Sequence, residues 1–483
     1  MKNFDVVVIG GGHAGCEAAH ASARSGTKTL LVTLSKSSIG QLSCNPAVGG
    51  IGKSHLAREV DALDGLICKV ADNSALQRRK LNLRKGPAVQ ATRLQTCRIN
   101  YKHYMQTELE NHPNLEIIEG EVISLLTAKD HITGIKLANN VEILCKSVVL
   151  TAGTFLGGLI HIGEKSFSAG RVGDKSACQL DSFFRDSGFP IGRLKTGTPP
   201  RIVKSSINFE KLEAQHSDKD KPYLSYLYDH YGSTPNIIEE IPCFITHTNI
   251  NTHEIIEQAK ELSPIFSGAI RSVGPRYCPS IEDKIDRFAD KQSHQIFLEP
   301  ESTANELIYP NGISTSLPEY IQHKFLRTIR GLEQCKISQP GYAVEYSHFD
   351  PRCLHSTLAT KNYNNLYFAG QINGTTGYEE AASQGLIAGI NAAATAGDRE
   401  PFLLNREESY IGVMIDDLVT QGVTEPYRMF TSRAEHRLRL REDNADERLT
   451  QKGFDYGFVS SSRLKRCEAK IHSIFTETRR LSE

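Results

Sequence analysis

Residues 4–15, "FDVVVIGGGHAG", decide the fold. Residues 4–9 are the unbroken apolar run that a parallel strand covered on both faces requires. The turn Gly10-Gly11-Gly12-His13-Ala14-Gly15 follows, and it satisfies Gly-x-Gly-x-x-Gly. After it, "CEAAHASARSG" reads as an Ala-rich helix and "TKTLLVT" as a second strand. In such a unit Gly10 permits the tight turn, Gly12 lets backbone approach a pyrophosphate, and Gly15 lets the helix pack closely. The helix N-terminus supplies N–H donors to the phosphates. The unit therefore predicts an α/β chain that binds a dinucleotide. An acid usually closes the second strand and holds the ribose, but here that strand ends in Thr33-Leu34-Ser35. Ribose recognition is expected from hydroxyls, backbone or another segment.

A second glycine-rich stretch, "AVGGIGKSH" at 47–55, has the spacing of a triphosphatase loop, with Gly52-Lys53-Ser54 at its end. Such a loop springs from a buried strand, whereas the preceding "SSIGQLSCNP" is polar and broken by Gly40 and Pro46. The better readings are a glycine-rich turn, or a loop that approaches a cofactor and presents Cys44 to it.

Bulk properties narrow the class. With 483 residues the chain is long enough for two or three domains, and a mean hydropathy of −0.34 is that of a globular protein. The 56 basic residues balance the 56 acidic ones, so any surface for nucleic acid must be local. A strand within a few residues of Met1 leaves no room for a leader, and no apolar run approaches membrane-spanning length, so a cytoplasmic protein is expected. Eleven cysteines without a Cys-x-x-Cys point to reduced thiols and offer no metal site.

Residues 55–110 read as largely helical. Between Asp72 and Glu108 they carry no acid, while Arg78, Arg79, Lys80, Arg84, Lys85 and Arg93 fall inside. This belt suits an RNA backbone; a solvated face or flavin-phosphate contacts are the alternatives. From Leu115 the period changes to two, as in a meander with a return strand that ends in Ala152-Gly153. The section from "GRLKTGTPP" at 192–200 to about 330 lacks the Rossmann rhythm, and 365–393 returns to strand, glycine loop and Ala-rich helix. That order is the one in which glutathione-reductase-like flavoproteins assemble a single FAD site. The expected division is a first Rossmann-type part over 1–200, an inserted mixed α/β domain over 201–330, a second part of the FAD domain over 331–398, and the start of a C-terminal helical region over 399–483.

The strings "LSCNPAVGGIGK", "KGPAVQATR", "GRLKTGTPPRI", "GPRYCPSIEDK", "YPNGISTSLP", "FAGQINGTTGYEEAASQG" and "EPYRMFTSRAEHRL" together closely resemble the MnmG (GidA) family, the flavin subunit of a tRNA wobble-uridine modification enzyme. The resemblance runs from Lys2 to about Thr450. It implies that NADH reduces FAD and that a one-carbon unit from methylenetetrahydrofolate joins C5 of the uridine with glycine or ammonium, giving a carboxymethylaminomethyl or aminomethyl group. It implies a homodimer that works with the GTPase MnmE on tRNA.

Uracil C5 is a poor nucleophile until something adds at C6, and a thiolate is the side chain best suited to add and leave. The resemblance assigns functional thiols to Cys44 and Cys278 without ordering their roles. It assigns the FAD pyrophosphate to Gly10 through Gly15, an adenine contact to Val122, and flavin contacts to Gln371 and Ser176. It assigns the nicotinamide to the segment Gly274, Pro275, Arg276, Tyr277, Cys278, Pro279, Ser280, Ile281, Glu282, Asp283, Lys284, Ile285, Asp286, Arg287 and Phe288, with Arg276, Glu282 and Lys284 as polar contacts. The loop at 47–55 is expected against the flavin, with Gly49, Gly50 and Gly52 allowing close approach. The chain stops at "RRLSE", where the family's C-terminal helical domain would begin. The alternatives are a folate- and FAD-dependent methyltransferase of a T-loop uridine, a plain flavin oxidoreductase and a non-catalytic RNA-binding module.

Overall fold

The opening unit forms as its sequence predicts: β1 (Asn3–Ile9), α1 (His13–Arg24) and β2 (Thr29–Thr33) follow one another. The computed structural model describes residues 3–228, 233–236, 238–274, 279–304 and 306–483. Val6, Val7 and Val8 are inaccessible to solvent, which explains the lack of polar alternation in β1. The long helix Tyr378–Ala396 lies against α1 so closely that a Cβ on Gly385 would stand 2.0 Å from the Ala14 carbonyl oxygen, and one on Gly389 2.4 Å from that of Ala18.

Between β2 and the rest of the sheet lies an excursion: β3 (Ala47–Gly49), α2 (Lys53–Ala62), α3 (Ile67–Asn73), β4 (Ala75–Leu81), β5 (Ala91–Thr96) and α4 (Arg98–Glu110). The helical reading of 55–110 holds for α2, α3 and α4 and is corrected over 75–96. There β4 and β5 form an antiparallel hairpin, with β3 on the other edge of β5. Leu, Gln, Arg and Lys favour helix when read locally, but tertiary pairing overrides so weak a preference. The residues before the second glycine loop, 37–46, hold no strand, as expected; β3 lies within the loop itself, has only three residues and runs antiparallel to β5.

The sheet is completed by β6 (Leu115–Glu119), β7 (Val122–Ala128), β8 (His131–Leu137) and β9 (Glu142–Leu150), in the order β6-β2-β1-β9-β8-β7. β6 runs parallel to β2 at the edge instead of joining the meander. β9 branches: residues 142–144 pair with β8, while 148–150 pair in parallel with Leu366–Phe368. Buried Asn365 fills the fork. Its amide nitrogen donates to Ile132 O and Lys146 O, each at 2.7 Å, and its oxygen accepts from Ile132 N at 3.0 Å. The C-terminal ends of β1, β9 and Leu366–Phe368 thus converge beside the first glycine turn, where open α/β sheets bind ligands.

A six-stranded sheet includes Gln295–Pro300, Leu307–Asn311 and Arg201–Val203, and it has an apolar core of its own with Ile202, Ile296, Leu298 and Phe325. A four-stranded sheet centres on Tyr342–Phe349 and Leu159–Ile162. Helices Tyr410–Gln421 and Ala445–Tyr456 send Met414, Leu418 and Leu449 into the core of the first sheet. Among the described residues, no helix is long and apolar enough to cross a membrane.

Candidate functional site

The converging strand ends open into a cavity of about 630 Å³. Its walls come from the glycine turn (Gly10 through Ala14), the end of β2 (Val32, Thr33, Leu34), the segment Gly120-Glu121-Val122, the turn after β9 (Thr151 through Phe155) and Gln371. Ser43, Cys44, Gly49 and Gly50 close it from the second glycine loop, and Tyr309 and Asn311 close it from the six-stranded sheet.

The glycine turn fits a dinucleotide. Gly10 has φ +107°, a conformation that strains any other residue. A Cβ on Gly15 would lie 1.7 Å from the Gly10 carbonyl oxygen, whereas one on Gly12 would meet no protein atom within 4 Å because it would point into the cavity. α1 starts after Gly12 with no acid in its first turn, so its unpaired N–H groups suit an anion. His13 stacks on Tyr378 with centroids 4.5 Å apart, and its Nε2 lies 3.1 Å from the Tyr101 hydroxyl. Burial pushes the His13 imidazole down to about 3, so it stays neutral. An acid that lines the cavity, Glu121, follows the neighbouring strand β6. A search restricted to the end of β2 overlooks it.

Cys44 sits at the cavity wall between the two sheets. Its Sγ lies 3.1 Å from the Tyr309 hydroxyl, its backbone N–H donates to the Tyr378 hydroxyl at 2.6 Å, and its carbonyl accepts from Arg98 Nη2. The guanidinium carbons of Arg201 and Arg98 stand 4.6 and 5.7 Å from the centre of the Tyr309 ring. Both arginines pair with Glu301, at 2.7 and 3.0 Å. Sequence reasoning singled out Cys44 but missed Tyr309, Arg98, Arg201 and Tyr378. The string "YPNG" held a clue, since Tyr309 and Asn311 are two apart on a strand and share a face.

Several expected contacts fall elsewhere. Val122 and Gln371 line the cavity, but the Ser176 hydroxyl donates to Phe155 O at 3.0 Å, and the next residue, Ala177, faces the cavity instead. Gly49 and Gly50 line it; a Cβ on Gly52 would strike Met429 O at 2.5 Å, so that glycine serves packing within the protein.

None of the described nicotinamide-segment residues borders this cavity. Pro275, Arg276, Tyr277 and Cys278 lie outside the described residues. Ser280 caps the helix Ile281–Arg287, with Asp283 N donating to its Oγ at 3.2 Å. Ile281 and Ile285 enter the second core. Buried Glu282 accepts from Thr315 Oγ1 at 3.0 Å and Ser316 N at 3.1 Å, and burial raises its carboxyl above the usual range. Lys284 donates to Gly312 O at 2.6 Å. Glu282 and Lys284 thus make these hydrogen bonds within the fold.

The basic belt divides in the same way. Arg78 is buried against Asp72 at 2.7 Å, Arg79 pairs with Asp218 at 3.0 Å, Lys80 with Glu442, and Arg93 with Glu299 at 2.7 Å. Arg84 and Lys85, at the tip of the β4–β5 hairpin, are exposed and have no ion-pair partner among the described residues. Four of the six basic residues are thus paired within the fold, three of them with acids from distant segments.

Sheet order, glycine turn and returning strand define the class: an FAD-binding, Rossmann-type α/β protein of the glutathione-reductase kind. Comparison with known proteins gives the family. Residues 5–400 match the family model described as Glucose inhibited division protein A. Two solved structures of Aquifex aeolicus GidA are 48% identical to the chain and cover 98% of it. The form I crystal superposes with a TM-score of 0.94 over 79% of that chain, and the form II crystal with 0.92 over 77%. The chain belongs to the GidA family, and with membership comes its class of activity, FAD-dependent tRNA modification.

Proposed function

We propose that this chain, together with a GTPase of the MnmE type, adds a carboxymethylaminomethyl or aminomethyl group to C5 of the tRNA wobble uridine. NADH, methylenetetrahydrofolate and glycine or ammonium are the co-substrates, and the assembly is a cytoplasmic homodimer joined by its GTPase partner. The observation that carries this reading is Cys44, a thiol in the wall of the dinucleotide cavity and half-buried among Tyr309, Tyr378 and Arg98.

FAD, when bound, supplies the redox chemistry of the reaction. The glycine turn and the start of α1 would hold its pyrophosphate, with Glu121 facing the ribose. Cys44 is placed at the cavity wall, where its sulfur can add to C6 of a uracil and raise electron density at C5. Cys278 supplies the second thiol, and either can be the one that adds. Arg84 and Lys85 contact the RNA backbone.

The test is mass spectrometry of wobble nucleosides in unmodified tRNA after incubation with the chain, its GTPase partner, GTP and the co-substrates. The expected result is the C5-substituted product with the wild-type chain and none with Cys44→Ser or Cys278→Ser, while both variants still bind FAD. Full modification by Cys44→Ser would remove that thiol from the mechanism.

A further inference from the structure

Cys44 reaches the cavity from the loop between β2 and β3, and Tyr309 from the strand Leu307–Asn311 of the six-stranded sheet. Thiol and phenol meet at 3.1 Å across the junction. We propose that Tyr309 is a positioning residue that holds Cys44 as a thiolate, donating its O–H to Sγ from a ring flanked by Arg98 and Arg201. The inference rests on the reading of Cys44 as a working thiol.

An ordinary phenol keeps its proton to higher pH than an ordinary thiol, so wherever the sulfur is ionised the hydroxyl is the donor and the sulfur the acceptor. A hydrogen bond to the charged form favours that form. Cations over a ring interact with its π face, and here Arg201 and Arg98 stand 4.6 and 5.7 Å from the same ring. They polarise the hydroxyl toward donation and lower the cost of negative charge on the sulfur.

The surrounding groups come from several elements. Tyr378 accepts the Cys44 N–H, and Arg98 binds the Cys44 carbonyl. Tyr342 lies within electrostatic reach of both Cys44 and Arg201. Glu301 pairs with both arginines, at 3.0 and 2.7 Å, and Arg171, itself paired with Asp174, donates to Ser43 Oγ at 2.9 Å. Arg98, Arg201 and Arg171 thus stand around the thiol with Glu301 and Asp174, and cations beside a thiol favour its ionised form.

The test is the rate of Cys44 alkylation by iodoacetamide in the FAD-loaded chain, followed peptide by peptide by mass spectrometry from mildly acidic to alkaline pH. The sulfur forms a bond to the reagent's methylene carbon and iodide leaves, so the rate reports the thiolate. Tyr309→Phe is expected to slow Cys44 about ten-fold near neutral pH, with the difference vanishing at alkaline pH where both thiols are ionised. Exposed Cys178 serves as the internal control and should react at one rate in both proteins. Equal Cys44 rates at every pH, or an equal slowing at every pH, would overturn the proposal.

Should Tyr309→Phe lose its flavin, fluorotyrosine in place of tyrosine keeps the shape and strengthens the donor. Faster alkylation near neutral pH is then expected, and an unchanged rate overturns the proposal. Because the assay needs no tRNA, the two readings separate. If Cys44→Ser still modifies tRNA, the functional role fails and the hydrogen bond stands; if Cys44→Ser is inactive while Tyr309→Phe leaves the alkylation profile unchanged, only this inference falls.

Discussion

Lys53, the first residue of α2, directs its ammonium onto both carboxylate oxygens of buried Glu380. In a triphosphatase loop this lysine would reach toward phosphates. Here it neutralises a carboxylate that also accepts from Met429 N at 2.9 Å, and so ties the second glycine loop to the helix Tyr378–Ala396. Lys53→Met leaves that buried charge uncompensated and should cost about 3 kcal/mol of stability, read from urea unfolding. The purified chain should hydrolyse no GTP before or after the substitution; turnover by the wild type alone would restore the triphosphatase reading.

The two outer constraints on the first glycine turn separate folding from binding. A methyl group at Gly12 would project into the cavity, while one at Gly15 would collide with the Gly10 carbonyl. Gly12→Ala should therefore unfold at the wild-type temperature yet purify without flavin absorbance. Gly15→Ala should lose both flavin and several degrees of melting temperature. Equal flavin content in Gly12→Ala and wild type would place the pyrophosphate elsewhere.

These contrasts show which parts of the molecule were legible in the chain. The Gly10–Gly15 turn could be read because the reasons for its glycines lie within a few residues or on the adjacent strand. Leu366–Phe368 could be read as a returning strand because glycines and an Ala-rich helix follow it at once. By contrast, the Cys44–Tyr309 contact spans 265 positions, and no local pattern encodes which strand faces which loop. The belt misled for the same reason: Arg93 follows an acid-free stretch, yet Glu299 neutralises it from 206 positions away. No acid closes β2, and the acid that lines this part of the cavity, Glu121, follows the neighbouring parallel strand β6. At Ser176 the hydroxyl donates to Phe155 O, while the neighbouring Ala177 lines the cavity.

Two basic residues of the belt should behave unlike the rest toward RNA. Arg84→Glu combined with Lys85→Glu removes two exposed cations and should weaken tRNA binding while lowering the slope of log affinity against log salt by about 1.5. Arg78→Ala should act on stability instead, since it strands buried Asp72, whose carboxylate also accepts from Leu224 N and Ser225 N at 3.0 and 2.7 Å. Fluorescence anisotropy across a salt series measures the first effect and urea unfolding the second. An unchanged salt slope in the double variant would take the hairpin tip out of the RNA interface.

Glu17, on α1 beneath the glycine turn, gives the fold a pH dependence with a definite sign. Its Oε1 accepts from Leu66 N at 2.9 Å and Ile67 N at 2.8 Å, capping the start of α3, yet burial pushes the carboxyl from 4.5 up to about 7. Between those values the native protein keeps a proton that the unfolded chain has released. Stability therefore falls as pH rises through this window: the contribution is fully present below 4.5 and lost above about 7. A displacement of this size corresponds to roughly 3 kcal/mol once the carboxyl is ionised. Glu17→Gln mimics the protonated side chain and keeps an oxygen for both amides. It should match the wild type in acid, exceed it in stability by up to that amount in alkali, and flatten the profile between. Urea unfolding at a series of pH values reads the difference directly; parallel profiles for the two proteins would mean that Glu17 is already ionised throughout and that its two amide hydrogen bonds outweigh its burial.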